Sequence, residues 1–216
     1  MKPSYADIGS LALIVIAFAF GAAAYPHLPT LVASHWGANG AINGHMTRLW
    51  GVLLMPIIMA VLWGIFLVIP AIEPQRQNFE TFRRRYDLFR VGILAFFLYV
   101  YVLTLAINLG YPFDLRQFLA PAMAALFAGV AAILKDSKRN FFVGIRTPWT
   151  LSSDVVWQKT HHLGAKLFYA TALCTLVGAL VPHLLLWYTF VPLLATVAIT
   201  TVYSYVVYRC EKPHNK

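Results

Sequence analysis

Residues 50–70 read WGVLLMPIIMAVLWGIFLVIP, and none of them is charged. A helix needs about 20 mostly apolar residues to cross the hydrocarbon core of a bilayer, so this stretch predicts a transmembrane helix. Five further runs along the chain have the same character and are bounded by charged or aromatic residues. The six predicted spans are residues 8–25, 50–70, 91–109, 118–134, 167–181 and 184–208.

The composition of the whole chain agrees with this assignment. Of the 216 residues, 60% are hydrophobic and 12% are charged, and the mean hydropathy is +0.67. These values lie outside the usual range of soluble domains, so the predicted fold class is an all-α, polytopic membrane protein. The first run could also be a cleaved signal peptide, but it is longer than the usual apolar core of such a signal.

The basic residues predict how the spans are oriented. Of the 17 Lys and Arg residues, only Arg48 and Arg116 fall on one side of the bilayer, and the other 15 fall on the opposite side. Basic residues near span ends are retained in the cytoplasm, so both termini are predicted to be cytoplasmic. The distribution of the net charge of +9 therefore indicates a multi-pass membrane protein, and no direct contact with nucleic acid is expected.

The residues inside the spans argue against several functions. None of the six spans contains Asp, Glu, Lys or Arg, which disfavours an ion-coupled transporter or a proton pump. A serine hydrolase built from Ser152 or Ser153 with Asp154 and His161 would need a Gly-x-Ser-x-Gly elbow, and the chain has none. We therefore expect no enzymatic activity, no catalytic residue and no cofactor.

The outer loop, residues 26–49, contains two Asn-Gly pairs, at residues 39–40 and 43–44. Such pairs favour type I′ turns, in which both central residues have a positive φ, so the loop is predicted to be folded. His35 and Trp36, with Asn39 and Gly40, are predicted to hold the loop against the membrane face or to contact an extracellular ligand.

Three histidines in the outer loop raise the question of a zinc or copper site, because imidazole is a common ligand for both metals. No acidic residue lies between Asp7 and Glu73, so the carboxylates that usually support such histidines are missing. No metal site is therefore expected.

The first inner loop, residues 71–90, carries aromatic residues at helical spacing: Phe79, Phe82, Tyr86 and Phe89. Acidic and basic residues four apart lie on the opposite face. The pattern predicts a short amphipathic helix that lies on the inner leaflet and binds anionic lipid or a cytoplasmic partner. Alternatively, the arginines of this loop serve only to fix the topology.

The second inner loop, residues 135–166, has the most unusual sequence. Pro148 favours an extended Thr147, so residues 144–150 are predicted to form a turn, and Ser152 is predicted to cap a helix that follows. Arg146 could stack on Trp149, or present its guanidinium to a carboxylate or a lipid phosphate. Alternatively, the loop has only a structural role: it folds compactly and packs under the helices, with Arg146 paired locally. Its candidate partner-binding residues are Asn140, Gly144, Arg146, Thr147, Pro148, Trp149, Trp157, Thr160 and His161.

This second inner loop resembles the SdpI family of bacterial membrane proteins. The resemblance rests on Gly-Ile-Arg-Thr-Pro-Trp-Thr-Leu at residues 144–151, followed by Val-Trp-x-x-Thr-His at residues 156–161. The first span and the outer loop resemble the accessory N-terminal domain often found in the same proteins. Asn43 and Arg48 in the outer loop, and Ala165 after His161, depart from the family pattern, which leaves a family ligand at the outer loop in doubt.

The resemblance implies a location in the bacterial inner membrane and an immunity and signalling role. Founding members of the family protect the producing cell from a secreted peptide toxin and relay its presence to a cytoplasmic repressor. The expected partners are therefore membrane lipids, a peptide toxin outside the cell and a repressor inside it. The expected regions are residues 1–70, with the outer loop, and residues 71–216, a four-helix SdpI-like region. A small transporter or lipid-handling protein, or less readily a membrane-embedded enzyme, remains the alternative, and the oligomeric state stays open.

Overall fold

A computed structural model describes residues 4–211, which form eight α-helices and one two-stranded antiparallel sheet. Lys2, Lys212 and Lys216, which contribute to the predicted charge asymmetry, lie outside the described residues. In chain order the elements are α1 (Tyr5–Ala24), β1 (Leu31–Trp36), β2 (Ile42–Thr47), α2 (Arg48–Ile72), α3 (Arg76–Thr81), α4 (Arg83–Asn108), α5 (Leu115–Asp136), α6 (Pro148–Ser152), α7 (Asp154–Gly178) and α8 (Leu185–Glu211).

Within residues 4–211, five helical segments are long and apolar enough to cross a membrane. They are Tyr5–His27, Arg48–Ile72, Arg83–Asn108, Leu115–Asp136 and Pro182–Glu211. The prediction of a mostly helical, multi-pass membrane protein is therefore confirmed. The remaining long helix, α7, contains residues 167–178 of the predicted span 167–181. The count of six spans and the orientation stay predictions.

Helix α7 is less apolar than the other long helices because polar residues lie on both its exposed and its buried faces. Its N-terminal half exposes Asp154, Gln158, Lys159, His162 and Lys166. Its side chains at Thr160, His161, Thr171 and Thr175 are buried within the protein. Oγ1 of Thr171 lies 3.2 Å from Oγ1 of Thr196 on α8, so the two helices share a hydrogen bond. Small residues and hydroxyl groups allow helices to pack closely inside a membrane. Contact with protein thus accounts for the polar residues of the buried face, and the exposed polar residues of the N-terminal half account for the rest of the low hydropathy.

Helices α1, α2 and α4 share a hydrophobic core at the N-terminal side of the molecule. Ile14, Val52, Met59, Leu94 and Tyr101 are buried in it. Helix α4 also packs against α5, which in turn packs against α7, and α7 against α8. Helix α4 therefore connects the N-terminal group of helices to the C-terminal group, and the division of the chain at residue 70 stays a prediction.

The outer loop forms a β-hairpin, which the sequence pattern did not specify. Strands β1 and β2 pair antiparallel from Leu31 opposite Thr47 to Trp36 opposite Ile42. The chain reverses between them, where the N–H of Gly40 donates to the carbonyl of Gly37 over 2.9 Å and Gly40 has a φ of +80°. The outer loop is thus folded, as predicted.

The type I′ turns predicted at the two Asn-Gly pairs are wrong. Within residues 4–211 only glycines have a positive φ, so neither Asn39 nor Asn43 has the conformation that such a turn requires. Asn39 instead accepts a hydrogen bond from the N–H of Ala41 through Oδ1, over 3.1 Å. Gly44 lies within β2, where a Cβ would come 2.9 Å from the Cβ of His35. Close approach between the strands explains this second glycine.

The aromatic stripe of the first inner loop packs inside the protein. Phe79, Phe82 and Tyr86 are fully buried, in contact with Phe66 of α2 and Ile133 of α5. The prediction that this stripe lies on the inner leaflet is therefore wrong. The chain breaks at Phe82 into α3 and α4, and the stripe turns toward the other helices because they cover more aromatic surface than a leaflet boundary would.

Arg90 forms a buried ion pair that sequence patterns did not reveal. Its side chain is 0% exposed, and Nη2 donates to Asp7 Oδ1 over 2.6 Å. Nε of Arg90 lies 3.1 Å from Oδ1 of Asp87. Asp7 also closes a capping box with Ser4 at the start of α1. Arg90 thus connects α1 to α4 at the end of the molecule that contains both inner loops.

Candidate ligand and partner sites

The second inner loop is folded around Asn140. This side chain is fully buried, and its Oδ1 accepts hydrogen bonds from the N–H groups of Phe142 and Val143 over 2.9 and 2.7 Å. Its Nδ2 donates to the carbonyl oxygens of Lys138 and Val143 over 2.8 and 2.9 Å. All of its hydrogen-bonding capacity is used locally, so Asn140 shapes the loop and does not face a partner.

Trp157 and His161 form a buried stacked pair on α7. Their ring centroids are 3.9 Å apart and the planes differ by 17°. The indole N–H of Trp157 donates to the carbonyl of Ser137 over 3.0 Å, which ties α7 to the end of α5. One stacked pair therefore fixes where the loop leaves α5 and where it returns.

The hydrogen bonds of His161 define its protonation. Nε2 accepts the N–H of Ile145 over 2.9 Å, so the proton of the neutral ring sits on Nδ1, which lies 2.8 Å from the carbonyl of Trp157. Burial lowers the pKa of His161 to about 4. Both ring nitrogens are thereby engaged, and Ser153 donates instead to Glu211 over 2.6 Å. Ser152 donates to the carbonyl of Trp149 over 3.0 Å, so neither of these serines is bonded to His161.

Gly144 passes directly beneath the stacked pair. Its φ is +129°, which side-chain-bearing residues rarely adopt. A Cβ at this position would collide with Nε2 of His161 and come within 3.1 Å of the Trp157 ring. The sequence motif therefore contains a glycine here because of close packing.

Thr147, Pro148 and Thr150 start α6 and attach it to α8. Oγ1 of Thr147 accepts the N–H of Thr150 over 3.1 Å, and Oγ1 of Thr150 accepts the N–H of Thr147 over 2.9 Å. Oγ1 of Thr147 also lies 3.0 Å from Oγ of Ser204. Pro148 suits the first position of a helix because it has no N–H to leave unpaired. The predicted turn thus ends in one turn of helix.

Two further predictions for this loop are wrong. Ser152 ends α6, and Ser153 caps α7 by accepting the N–H of Val156 over 3.3 Å. Arg146 does not stack on Trp149, since that ring packs on Tyr205 with centroids 5.0 Å apart. The guanidinium of Arg146 instead donates to the carbonyl of Phe141. Arg146 and Pro148 are exposed, and they are the candidate residues that a partner could reach.

Thr160 is the remaining candidate of the inner loop. Its side chain is 0% exposed, and Oγ1 has no hydrogen-bond partner among the residues that the structure describes. It therefore lies within the packed face of α7 and is not available to a partner in this conformation.

The two inner loops are bonded to each other through residues that sequence patterns did not single out. Glu73 is 4% exposed, and its Oε2 accepts the N–H of Phe141 over 3.0 Å. Nδ2 of Asn78 donates to the carbonyl of Arg139 over 2.9 Å. The sequence signal that could have identified Glu73 is its position as a single acidic residue directly after the second span. The loops form one surface, stabilised by these cross-contacts.

The outer candidates sit on the hairpin. His35 is exposed, and Nδ1 lies 2.5 Å from Oδ1 of Asn43. Asn39 is exposed at the turn, while Trp36 and Gly40 line a cavity of about 140 Å³ with the starts of α5 and α8. We call this cavity the outer mouth. No group of three or more potential metal ligands occurs among residues 4–211.

Arg116 of α5 supports the tip of the hairpin. A Cβ on Gly40 would come 2.8 Å from its Nε. Asp114 accepts two hydrogen bonds from the same guanidinium, over 3.0 and 2.8 Å. These bonds hold the pKa of Asp114 below its usual value. The hairpin is also held at its base, where Asn108 of α4 bonds both backbone groups of Ala33, over 2.7 and 3.0 Å.

The candidate residues thus form two separate groups, an inner one and an outer one. Residues 136–204, which contain the inner group, match the SdpI/YfhL protein family. The resemblance to the SdpI family is confirmed. Residues 12–60, which contain the outer group, match a domain of unknown function, DUF1648. The region that matches the SdpI/YfhL family therefore begins at the end of α5 and includes the stacked pair of Trp157 and His161.

The similarity extends over almost the whole chain. Immunity protein SdpI of Bacillus subtilis (strain 168) is 20% identical over 207 residues, which cover 94% of this chain and 96% of that protein. No solved structure matches the chain. The outer mouth joins the two matched regions, because the hairpin lies in the first and Leu185 and Thr189 of α8 lie in the second.

Proposed function

We propose that this SdpI-like protein is a bacterial inner-membrane immunity protein that recognises a secreted peptide toxin at its outer mouth and signals to a cytoplasmic repressor. The observation that supports immunity most strongly is the similarity to Immunity protein SdpI over 94% of the chain. The same similarity gives no support to an enzyme, since the matched family is one of membrane proteins with an immunity member.

The outer mouth has features suited to a peptide. Trp36, Leu119 and Phe190 offer apolar surface, and the exposed hairpin adjoins them. Aromatic side chains at the centre of a small concave surface are common anchors for peptides and proteins. Because the mouth lies between the two matched regions, a peptide bound there would contact both.

Helix α4 is the proposed route by which binding outside reaches the inner loops. Its last residue, Asn108, holds the hairpin through Ala33, and its first turns carry Tyr86 into the aromatic cluster beside Val143 of the second inner loop. A displacement of the hairpin would therefore act on the inner surface through one continuous helix. The exposed Arg146 and Pro148 on that surface are the proposed contacts for a repressor.

The immunity proposal is tested by survival of the bacterium that encodes this chain. Deletion of the gene should make the cells sensitive to the peptide fraction of their own spent medium, and the wild-type gene should restore resistance. Trp36→Ala should fail to restore it although the protein is inserted in the membrane. Trp187→Ala is the matched control, because Trp187 is 68% exposed near the start of α8 and does not line the mouth.

Full resistance of the deletion strain would contradict the immunity proposal. Equal resistance with Trp36→Ala and wild type would contradict recognition at the outer mouth. Signalling is tested separately, by the amount of repressor that sediments with membranes after peptide treatment. Arg146→Ala should reduce this amount and the exposed Arg209→Ala should not, so equal amounts in both would contradict the proposed inner contact.

A further inference from the structure

A groove of about 600 Å³ runs between α4 and α5, on the side of the helix pair away from the N-terminal core. Its volume lies in the range of roughly 300 to 1,000 Å³ that is usual for small-molecule sites. The walls are almost entirely apolar, with Leu88, Ile93 and Phe96 from α4 and Pro121, Leu126 and Ile133 from α5. Neither candidate site of the preceding sections includes it.

Small residues keep the groove open. An added Cβ on Gly92 would meet no atom within 4 Å, so space lies directly above this position on α4. On α5 an added Cβ at Gly129 would meet only the Phe89 ring, at 3.7 Å. The two helices are therefore in contact through a few larger side chains and are separated along the rest of the groove.

The length of the groove fits an acyl chain. It reaches from Arg85 to Tyr99 on α4, which corresponds to roughly 21 Å at 1.5 Å of rise per residue. The hydrocarbon core of a bilayer is about 30 Å thick, so the groove covers more than the depth of one leaflet. Arg85 closes one end, and the ring of Tyr99, whose hydroxyl donates to the carbonyl of Phe118 over 3.0 Å, closes the other.

The end at Arg85 is basic. Arg85 lines the groove, and its Nε donates to the carboxylate of Asp136 over 2.6 Å. The exposed Arg84 and Lys135 are the sequence neighbours of these two residues, so the pairs Arg84–Arg85 and Lys135–Asp136 together carry three positive charges and one negative charge. The contact with Asp136 uses Nε and leaves the Nη groups of Arg85 to donate to another acceptor, while its side chain is still 54% exposed. Basic pockets between membrane helices bind anionic lipid headgroups.

We propose that the groove binds one anionic glycerophospholipid, with an acyl chain between α4 and α5 and the phosphate at Arg85. The apolar walls match the chain, and the excess of positive charge at one end matches the headgroup. A lipid at this position would fill the separation between α4, which belongs to the N-terminal core, and α5, which leads into the SdpI region.

Native mass spectrometry of the full-length protein, taken from bilayers of phosphatidylglycerol and phosphatidylcholine in equal amounts, tests this site. We expect one phosphatidylglycerol retained per chain, in clear excess over phosphatidylcholine. Arg85→Gln should reduce that preference about fivefold, since one basic side chain near a membrane surface contributes about 1 kcal/mol toward an anionic lipid. The exposed Arg209→Gln on α8 should leave it unchanged.

Gly92→Leu should displace the lipid, because its side chain would enter the open groove. Gly64→Leu is the matched control, since an added Cβ on Gly64 of α2 also meets nothing within 4 Å and Gly64 does not line the groove. Circular dichroism checks that both variants fold. If Gly92→Leu does not fold, the comparison of Arg85→Gln with wild type tests the proposal. No retained lipid, equal retention of both lipids, the same loss with both leucine variants, or a dimer mass that replaces the lipid adduct would each overturn the proposal.

Discussion

Nε2 of His161 accepts the backbone N–H of Ile145 over 2.9 Å, so a side chain on α7 pairs with the loop that precedes α6. The His161 side chain is buried, and its ring is stacked on Trp157. The inner surface therefore has a packed core, and the exposed Arg146 directly follows Ile145, which is bonded to this core. Variants of this core should change the stability of the inner loop before they change any contact with a partner.

Gly144→Ala should destabilise the protein by roughly 1 to 3 kcal/mol, because alanine would be strained at a φ of +129° and its Cβ would collide with His161. The check is thermal unfolding of the detergent-solubilised protein. Gly64→Ala is the control, and should be neutral or slightly stabilising because its helix has open space there. An unchanged midpoint for Gly144→Ala would contradict the packing described.

The free energy of unfolding should fall as the pH falls from about 6.5 toward 4. The pKa of His161 is lowered to about 4 by burial, whereas an unfolded histidine titrates near 6.5. Between these values the unfolded chain binds the additional proton, so up to about 3 kcal/mol is lost on acidification and is fully present above pH 6.5.

His161→Gln should remove most of this pH dependence, since an amide oxygen can accept the Ile145 N–H without titrating. His162→Gln should retain it, because His162 is the exposed neighbour on the same helix. Unfolding in urea at several pH values measures both variants. A wild-type stability that is flat between pH 6.5 and 4 would show that His161 does not titrate as a buried neutral ring.

Several features of this structure could be predicted from sequence and others could not, for physical reasons. The apolar runs located α2, α4, α5 and α8, because the length of a charge-free run is set by the bilayer itself. Phe79, Phe82 and Tyr86 were grouped correctly, since their side chains pack in one cluster, although the chain breaks at Phe82 and they do not lie on one helix. The surface that covers them was not predicted, since a leaflet and a neighbouring helix both accept aromatic side chains. Helix spacing identifies a face and not what covers it.

The candidate sites show the same limit. The unusual composition around Gly144 and Trp157 indicated a special structure, but its hydrogen bonds cross from α7 to the loop and no spacing rule encodes them. The sequence predicts that Arg90 ends the first inner loop, at the edge of a span. It does not reveal the ion pair with Asp7, because the two residues are 83 positions apart in the chain. Long-range pairs of this kind arise from tertiary packing alone.

Arg90→Met should destabilise the protein by roughly 1.5 to 3 kcal/mol, because it removes the charge-assisted hydrogen bond from Arg90 to the partly exposed carboxylate of Asp7. The neighbouring Arg84→Met is the control, since Arg84 is exposed, and should change stability little. Both are measured by thermal unfolding in the same detergent. Similar midpoints for the two variants would contradict a structural role for the Arg90 and Asp7 pair.

Asn108→Ala should loosen the hairpin without disturbing the inner loop. It removes both hydrogen bonds to Ala33, at 2.7 and 3.0 Å, so the β1 amides should exchange with solvent at least about fivefold faster, as expected for about 1 kcal/mol per lost bond. Hydrogen–deuterium exchange measures this, with the Phe142 and Val143 amides as internal references. Equal exchange at β1 in variant and wild type would show that Asn108 does not hold the hairpin.

The functional account depends on the outer hairpin and the inner loop lying on opposite sides of the bilayer, with α7 crossing as a sixth span. Single cysteines at Asn39, Ser152 and His183, introduced after Cys174 and Cys210 are replaced by alanine, measure this directly with a membrane-impermeant maleimide. We expect Asn39→Cys and His183→Cys to be labelled in intact cells, and Ser152→Cys only after permeabilisation. Labelling of Asn39→Cys and Ser152→Cys from the same side, or failure of His183→Cys to react in intact cells, would contradict it.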